Sequence, residues 1–321
     1  MMPESSPQAK EGEPGTVILD GAALAEEIKL DVAEQVARLN REHDVRPCLV
    51  VVRVGDDPAS AIYVRNKVQT SGALGLISEH HALPAETTTE ELLELITQLN
   101  QRDEVDGILV QLPLPRGVDE TRVLEAIDPA RDVDGFHPIN VGRLSMGQPV
   151  LAPCTPVGII ELLVRSGIEI RGANACVVGR SQTVGRPVAQ LLLQMDATVT
   201  ICHSRTRDLA SVTRQADILI AAIGQPAFIR AEYIKPGATV IDVGINKVTD
   251  ETQAREWFGA EADKRIEVIR RRGYTIIGDV HPAEARRVAG HLSPVPGGVG
   301  LLTVAMLMHN TLKAAQKRRG L

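Results

Sequence analysis

The stretch Ala175-Cys-Val-Val-Gly-Arg-Ser-Gln-Thr-Val-Gly-Arg-Pro187 decides the fold. The apolar run Ala175 to Val178 enters a loop containing Gly179, Ser181 and Gly185. Pro187 then opens an apolar-periodic segment through Val188, Leu191 and Leu192. Proline at a first helical position has its φ preset and gives up no hydrogen bond, so Pro187 marks a helix start. Strand, glycine loop and helix N-terminus in that order present free backbone N–H groups and the positive end of a helix dipole, which suits a phosphate. The spacing Gly-x-Ser-x-x-x-Gly departs from the common Gly-x-Gly-x-x-Gly fingerprint. On these residues alone, a nucleotide loop and a plain tight turn between strand and helix both stay open.

Outward from this loop, strand and helix signals alternate. Upstream, Leu24, Ile28, Val32 and Val36 recur every four residues, the stripe of an amphipathic helix. Cys48 to Val54 is a continuous β-rich apolar run, as in a parallel strand buried on both faces. Asp57-Pro58 reads as a cap and first helical residue. A strand is expected over 76–82, a helix from Thr89 through Ile96, and a strand from Gly107 to Leu112. Downstream, strands are expected over 197–202, 217–223, 238–243 and 274–277, with a charged helical segment over 249–272 and a closing helix from Leu301 to about Lys317. Repeated β-α units predict parallel sheets with helices on their faces. Asp132 to Pro156 has loop composition, rich in Gly and Pro, and is the expected hinge between two domains.

Composition narrows the class. The 321 residues allow about two domains, and 44% apolar residues supply sizeable cores. A net charge of −6 gives no reason to expect nucleic acid or a membrane surface as partner, and 2% aromatic residues are too few for a base-stacking platform. No apolar run approaches the length of a membrane span. Cys48, Cys154, Cys176 and Cys202 form no C-x-x-C pair, as expected for reduced thiols in the cytoplasm. Residues 1–15 read as a polar, disordered leader rather than a signal peptide.

Several residues are candidates for chemistry, each with a blander reading. Tyr63 and Lys67, at i and i+4, share one helix face, which on spacing alone is usually a surface pair. Gln111 ends an apolar strand, and strand carboxyl ends face the ligand crevice in open α/β sheets, though a loop cap reads the same way. Asp134, in Asp-Val-Asp-Gly-Phe, is by itself more naturally a turn cap. The histidines, including His80, His81, His137, His203 and His281, lack metal-ligand spacing, so no metal is expected.

The ordered set is less ambiguous than its members. Gly55-Asp-Asp-Pro-Ala-Ser60, Tyr63-Val-x-x-Lys67, Val110-Gln-Leu-Pro-Leu-Pro115 and Asp132-Val-Asp-Gly-Phe-His-Pro-Ile-Asn-Val-Gly142 occur in that order. Pro153-Cys-Thr-Pro156, Val178-Gly-Arg-Ser181, Asp242-Val-Gly-Ile-Asn246 and Pro294-Val-Pro-Gly-Gly-Val-Gly300 follow. The series closely resembles the bifunctional methylenetetrahydrofolate dehydrogenase/methenyltetrahydrofolate cyclohydrolase family, over roughly Val17 to Lys313.

The resemblance implies two α/β domains with a folate cleft between them, the second a Rossmann-like NADP-binding domain. It implies a catalytic domain of 16–154 plus 294–321 and a cofactor domain of 155–293. Lys67 would be the central catalytic residue, with Tyr63 against the substrate and Gln111 at the reacting centre. Asp134 would hold the pterin, and Gly297 and Gly298 would bring bare backbone to the cleft. Gly179, Arg180, Ser181 and Gly185 would line the cofactor phosphates, and Ile245 would lie near the nicotinamide. Partners would be tetrahydrofolate derivatives and a second copy of the chain, in a cytoplasmic homodimer. An NAD site usually carries an acid after the second strand. Here His203-Ser-Arg-Thr206 follows with no acid before Asp208, so Ser204 and Arg205, with Arg180, suit a 2′-phosphate. The expected chemistry is NADP-dependent oxidation of the methylene bridge and hydrolysis of the resulting cation. A dehydrogenase with little cyclohydrolase activity, or a non-catalytic folate- or nucleotide-binding regulator, is the alternative. A purely binding protein has no need of Lys67. Three features depart from the family pattern: Leu301-Leu302 in place of Pro-Met, His281-Pro282 after Gly278-Asp-Val280, and a longer charged segment over 249–272.

Overall fold

Two largely buried, β-rich runs become the strands about which two parallel sheets are ordered. The structure, a computed structural model, describes residues 15–148 and 150–321. The expected leader over 1–15 lies outside them except for Gly15. The first half runs β1 (Val17–Ile18), α1 (Gly21–His43), β2 (Cys48–Val54), α2 (Pro58–Ala73), β3 (Ile77–Leu83), α3 (Thr89–Gln101), β4 (Gly107–Val110), α4 (Glu120–Ala126) and α5 (Pro138–Ser145). The second half opens with α6 (Cys154–Arg165), β5 (Asn174–Val178), α7 (Gly185–Gln194), β6 (Thr198–Cys202), α8 (Leu209–Thr213), β7 (Ile218–Ala221) and β8 (Thr239–Asp242). It closes with β9 (Asn246–Val248), α9 (Glu251–Phe258), α10 (Ala262–Arg272), β10 (Thr275–Ile277), α11 (Pro282–Ala285), β11 (His291–Leu292) and α12 (Val299–Arg319).

The first sheet has the order β3-β2-β4, the second β1-β11-β8-β7-β5-β6, and β9 pairs with β10 as a separate antiparallel ribbon. Both larger sheets are parallel throughout. Strand order reverses at β2 in one and at β5 in the other, and such switch points open a crevice at the strand carboxyl ends.

A layer of helices joins the sheets. Leu49 and Val51 of β2, Val177 of β5 and Ile220 of β7 belong to one buried cluster, with Ile28 and Val32 of α1, Leu162 of α6 and Leu302 and Met306 of α12 between them. The predicted stripe of α1 is buried along its length, and Asp20 caps it by accepting from the Ala22 and Ala23 N–H groups at 3.0 Å. Inside α12 the buried Asn310 amide donates to the carbonyls of Val133 (2.8 Å) and Ala152 (2.9 Å). The Thr155 and Thr303 hydroxyls, 2.8 Å apart, tie α6 to α12.

Four differences from the sequence expectation have local causes. Helix α7 begins at Gly185, two residues before Pro187, because the Ser181 hydroxyl accepts from the Val184 and Gly185 N–H groups at 3.1 Å and caps the turn earlier. The 132–156 connection contains α5, which starts at Pro138 with the His137 ring capping the Ile139 N–H at 3.1 Å. The charged segment over 249–272 forms two helices around a turn at Gly259, burying Phe258, Ile266 and Ile269 as a core of their own. Finally, β1 was expected in the first domain with 16–154. Its Val17 N–H donates to the Gly290 carbonyl at 2.8 Å and its Leu19 neighbour to Leu292 at 2.9 Å, so it completes the free edge of β11 in the second sheet. Among the described residues no helix is long and apolar enough to cross a membrane.

Candidate active site

Helix α2 buries Ser60, Val64, Lys67 and Ser71, a stripe spaced by three and four residues, against the first sheet. Lys67 sits on that stripe, 8% exposed, while Tyr63 one turn earlier is 41% exposed. A lysine so buried needs polar partners. Its Nζ donates to Gln111 Oε1 at 3.0 Å, and Gln111 Nε2 donates in turn to the Leu112 carbonyl at 2.7 Å. Gln111 is placed by its own backbone, whose N–H extends the β4 ladder to the Val52 carbonyl at 2.8 Å. The amide is thereby oriented with its oxygen toward Lys67.

The segment after residue 131 bridges to β4 through Ile108 and Asp132, which carries Asp134 to the same end of the sheet. Asp132 is buried and accepts from the Gly135 N–H (3.0 Å), the His137 N–H (2.8 Å) and Asn140 Nδ2 (2.9 Å), so it is the turn cap. Asp134 is left free of that task and partly exposed. Burial pushes its carboxyl up, and the Lys67 charge pulls against that shift. Cys154 stands beside it with its thiol 3.3 Å from the Val133 carbonyl, pushed well up by burial and by the Asp134 charge. Sequence reasoning assigned no role to Cys154 or Asn310, although both sit in apolar helical contexts where a polar atom needs a reason.

A pocket of about 190 Å³ opens beside Tyr63, walled by Gly244, Ile245, Ile276, Gly297 and Leu301. Ile245, 50% exposed, lines it. Burial raises the Tyr63 phenol, with Tyr274 adding to the effect. Leu301, at the start of α12, faces this pocket, while its neighbour Leu302 is buried over Gly158 of α6. His281, the second departure, caps α11 by accepting from the Glu284 N–H at 3.4 Å.

In the second sheet Val178, Cys202, Ala221 and Asp242 are the carboxyl-terminal residues of four strands in register. The loops after them share one rim. Gly179 has φ +129, open to glycine only, and a Cβ there would collide with the Ala222 carbonyl. Its N–H donates to the Cys202 carbonyl at 2.9 Å, which sets the glycine loop beside the His203–Thr206 turn. Arg180, Ser181, Ser204 and Arg205 are exposed on that rim, and among the described residues neither arginine pairs with a carboxylate. The glycine loop thus lies beside two exposed arginines that have no carboxylate partner among the described residues.

Two buried carboxylates, missed as functional from sequence, hold the rest of the rim. Asp242 accepts from the N–H groups of Gly244 (3.0 Å), Asp279 (2.8 Å) and Val280 (3.0 Å). Asp279, 0% exposed, accepts from the N–H groups of Ile223 (2.6 Å) and Gly224 (2.9 Å) and from Asn246 Nδ2 (3.0 Å). Three loops are buckled together, and a Cβ on Gly278 would collide with the Asp242 carboxylate. The signal available was an aspartate ending an apolar strand in Asp242-Val-Gly-Ile-Asn246. Among the described residues no group of three or more His, Cys, Asp or Glu side chains is arranged to hold a metal ion.

Comparison with known proteins bears on this geometry. Residues 19–134 match the family model described as tetrahydrofolate dehydrogenase/cyclohydrolase, catalytic domain, and residues 153–319 match its NAD(P)-binding domain. The chain is 54% identical over 303 residues to the bifunctional protein FolD of Koribacter versatilis, covering 94% of this chain and 98% of that one. Identity is also 54%, with the same coverage, to the FolD of Solibacter usitatus. A solved structure of the Trypanosoma brucei methylenetetrahydrofolate dehydrogenase-cyclohydrolase, complexed with NADP and an inhibitor, superposes with a TM-score of 0.86 at 39% identity over 95% of this chain and 99% of that one. The Campylobacter jejuni FolD structure gives 0.85 at 41% identity over 94% and 99%.

The buckle makes a pH prediction. Burial pushes the Asp242 carboxyl up to about 7, with neighbouring Asp279 adding to it. An unfolded aspartate titrates near 3.9. The folded chain therefore holds a proton that the unfolded chain releases. This contribution to stability is complete below about pH 4 and is lost as the pH rises through 7. Urea unfolding of the parent should weaken between pH 5 and 7 by up to about 1.4 kcal/mol per pH unit from this group. Asp242→Asn, which cannot titrate, should show a shallower slope, and equal slopes would overturn the assignment.

Proposed function

The chain belongs to the tetrahydrofolate dehydrogenase/cyclohydrolase family, and from that premise we propose how its residues divide the work of the two reactions. The protein is an NADP-dependent bifunctional enzyme. It oxidises 5,10-methylenetetrahydrofolate to the 5,10-methenyl cation and hydrolyses that cation to 10-formyltetrahydrofolate. The observation that carries the division of labour is the Lys67–Gln111 hydrogen bond at 3.0 Å, at the end of the sheet that also presents Asp134.

The substrate lies with its pterin against Asp134 and its aminobenzoyl ring along Tyr63 and the bare backbone of Gly297 and Gly298. A carboxylate meets the donor edge of a pterin with two charge-assisted bonds, the strong kind. Oxidation removes a hydride from the one-carbon bridge and leaves a cation shared by two nitrogens. That step asks for position above all, which Tyr63, Asp134 and Ile245 supply. Hydrolysis asks for protons as well. Water attacks the cationic carbon and gives up one proton through Lys67; as the bond to N5 breaks, the remaining hydroxyl proton passes to N5 and the formyl carbonyl forms. The Gln111 amide keeps the Lys67 amine aimed at the carbon.

The residues of the second domain fit NADP. Gly179 lets backbone approach the diphosphate, Ser181 and Gly185 open the helix N-terminus, and the uncommitted Arg180 and Arg205, with Ser204, suit the 2′-phosphate. When bound, the dinucleotide supplies the hydride acceptor.

We further propose a homodimer acting in the cytoplasm. In support, β3 is an edge strand of seven residues, and Arg53 Nε and Ser78 Oγ beside it are buried without a hydrogen-bond partner among the described residues. The four cysteines are free thiols. Cell fractionation checks the compartment. Sedimentation velocity should give twice the chain mass, and a monomer at micromolar concentration would reject the dimer.

Replacing Lys67 with Met keeps much of the aliphatic stem and removes the amine. Hydrolysis should fall by about 10²–10⁴, the range of a proton-transfer group, while oxidation falls less, so that the methenyl intermediate accumulates. A time course of methenyl and formyl products, corrected for spontaneous hydrolysis, reads this directly. Equal losses in both steps would make Lys67 a positioning residue instead.

Arg205→Ala should lower kcat/KM for NADP about ten- to a hundredfold relative to NAD, the loss of one charge-assisted bond. An unchanged ratio would remove Arg205 from the 2′-phosphate site.

A further inference from the structure

Strand β2 carries one cation in its apolar run. The strand period puts Arg53 on the face of Leu49 and Val51, and α2 covers that face through Val64 and Val68. The parallel register sets Val51 beside His80 of the edge strand β3, so His80 looks the same way. Arg65 reaches the same place from α2, with Gln69 one turn further along. These side chains line a pocket of about 280 Å³ that has Val64 and Val68 as its apolar wall. It shares no residue with the pocket beside Tyr63.

Among the described residues no acidic side chain lines this pocket. The Arg53 side chain is 14% exposed, and its Nε is buried without a hydrogen-bond partner. Asp56 stands 3.6 Å from its Nη2 but is 96% exposed, and so solvated a contact contributes little. A mostly buried guanidinium is thus left with unmet donors. Arg65 is exposed, and among the described residues no carboxylate pairs with it. Burial, the Arg53 charge and the neighbouring His81 hold the His80 ring below its ordinary range. Three elements therefore bring Arg53, Arg65 and His80 to one acid-free pocket, on a chain whose net charge is −6. Such a concentration of positive potential asks for an anion, and guanidinium forks suit the oxygens of a phosphoryl group. The Val64–Val68 wall offers an apolar surface to a small organic group esterified to it. We propose that this pocket, outside the folate cleft, binds a phosphoryl anion, either inorganic phosphate or a small phosphate monoester, and that its occupant ties α2 to β2 and β3.

Calorimetric titration of the full-length enzyme tests this. The enzyme is first saturated with NADP, which fills the glycine loop, and inorganic phosphate or phenyl phosphate is then added at constant ionic strength. The parent should take up one anion per chain at millimolar concentration or below. Tighter binding of phenyl phosphate would mark a monoester as the natural occupant, and equal binding would mark the free ion. Arg53→Leu and Arg65→Gln should each weaken binding about tenfold or more, the loss of a charge-assisted bond. Arg65→Gln changes an exposed side chain and carries the test alone if Arg53→Leu does not fold. No saturable uptake by the parent, or undiminished binding by the variants, overturns the site. If Arg53→Leu splits the dimer proposed above while the parent takes up no phosphate, a carboxylate of the second copy fills the pocket and the phosphoryl site is likewise overturned.

Discussion

The cleft depends on hydrophobic burial in the helical layer between the two sheets. Helices α1, α6 and α12 each offer an apolar stripe too wide for one neighbour, and the stripes are satisfied only by packing together and against both sheets. One buried cluster thus runs from β2 through the layer to β5. The carboxyl ends of the strands, and the side chains they carry, are positioned relative to one another by this shared core. Asn310 carries the same logic into polar chemistry. Its amide reaches out of α12 to carbonyls on either side of the 133–152 connection and so holds the backbone next to Asp134.

On the cofactor side, order comes from backbone hydrogen bonds to carboxylates instead. Loops at strand ends leave N–H groups that water cannot reach, and leaving them unpaired would cost about 1–3 kcal/mol each. Asp242 and Asp279 accept five such N–H groups between them, from Gly244, Asp279, Val280, Ile223 and Gly224. A carboxylate is expensive to bury, and the raised Asp242 carboxyl registers that expense. The rim is rigid because these two side chains are met by so many fixed backbone dipoles.

Much of this architecture was legible in the sequence where a pattern repeats. The buried runs at 48–54 and 175–178, the four-residue stripe of α1 and the glycine loop all carry local signals strong enough to survive tertiary context. Single residues were another matter. Tyr63–Lys67 spacing describes a surface pair as well as a site, and only contact with Gln111, forty-four positions away, distinguishes Lys67. Short elements whose existence depends on partners could not be read: α5 needs His137 to start it, and β9 is a strand only because β10 comes back beside it. The 249–272 segment looked like solvated charge because its apolar positions are sparse. They are buried because two short helices meet over them. The buckle was invisible since aspartates ending strands are common in loops that hold nothing.

The pairing of β1 with β11 bears on how the chain is made. Thr16 and Val17 bond to carbonyls at Arg286 and Gly290, so the outer edge of the second sheet is closed by residues synthesised some 270 positions earlier. The apolar stripe of α1 waits equally long for α12. During translation the first sheet can assemble from local βαβ contacts, but its first helix remains half-covered until nearly the whole second domain has emerged. A pause in synthesis before α12 would leave that apolar stripe open to contacts with other chains.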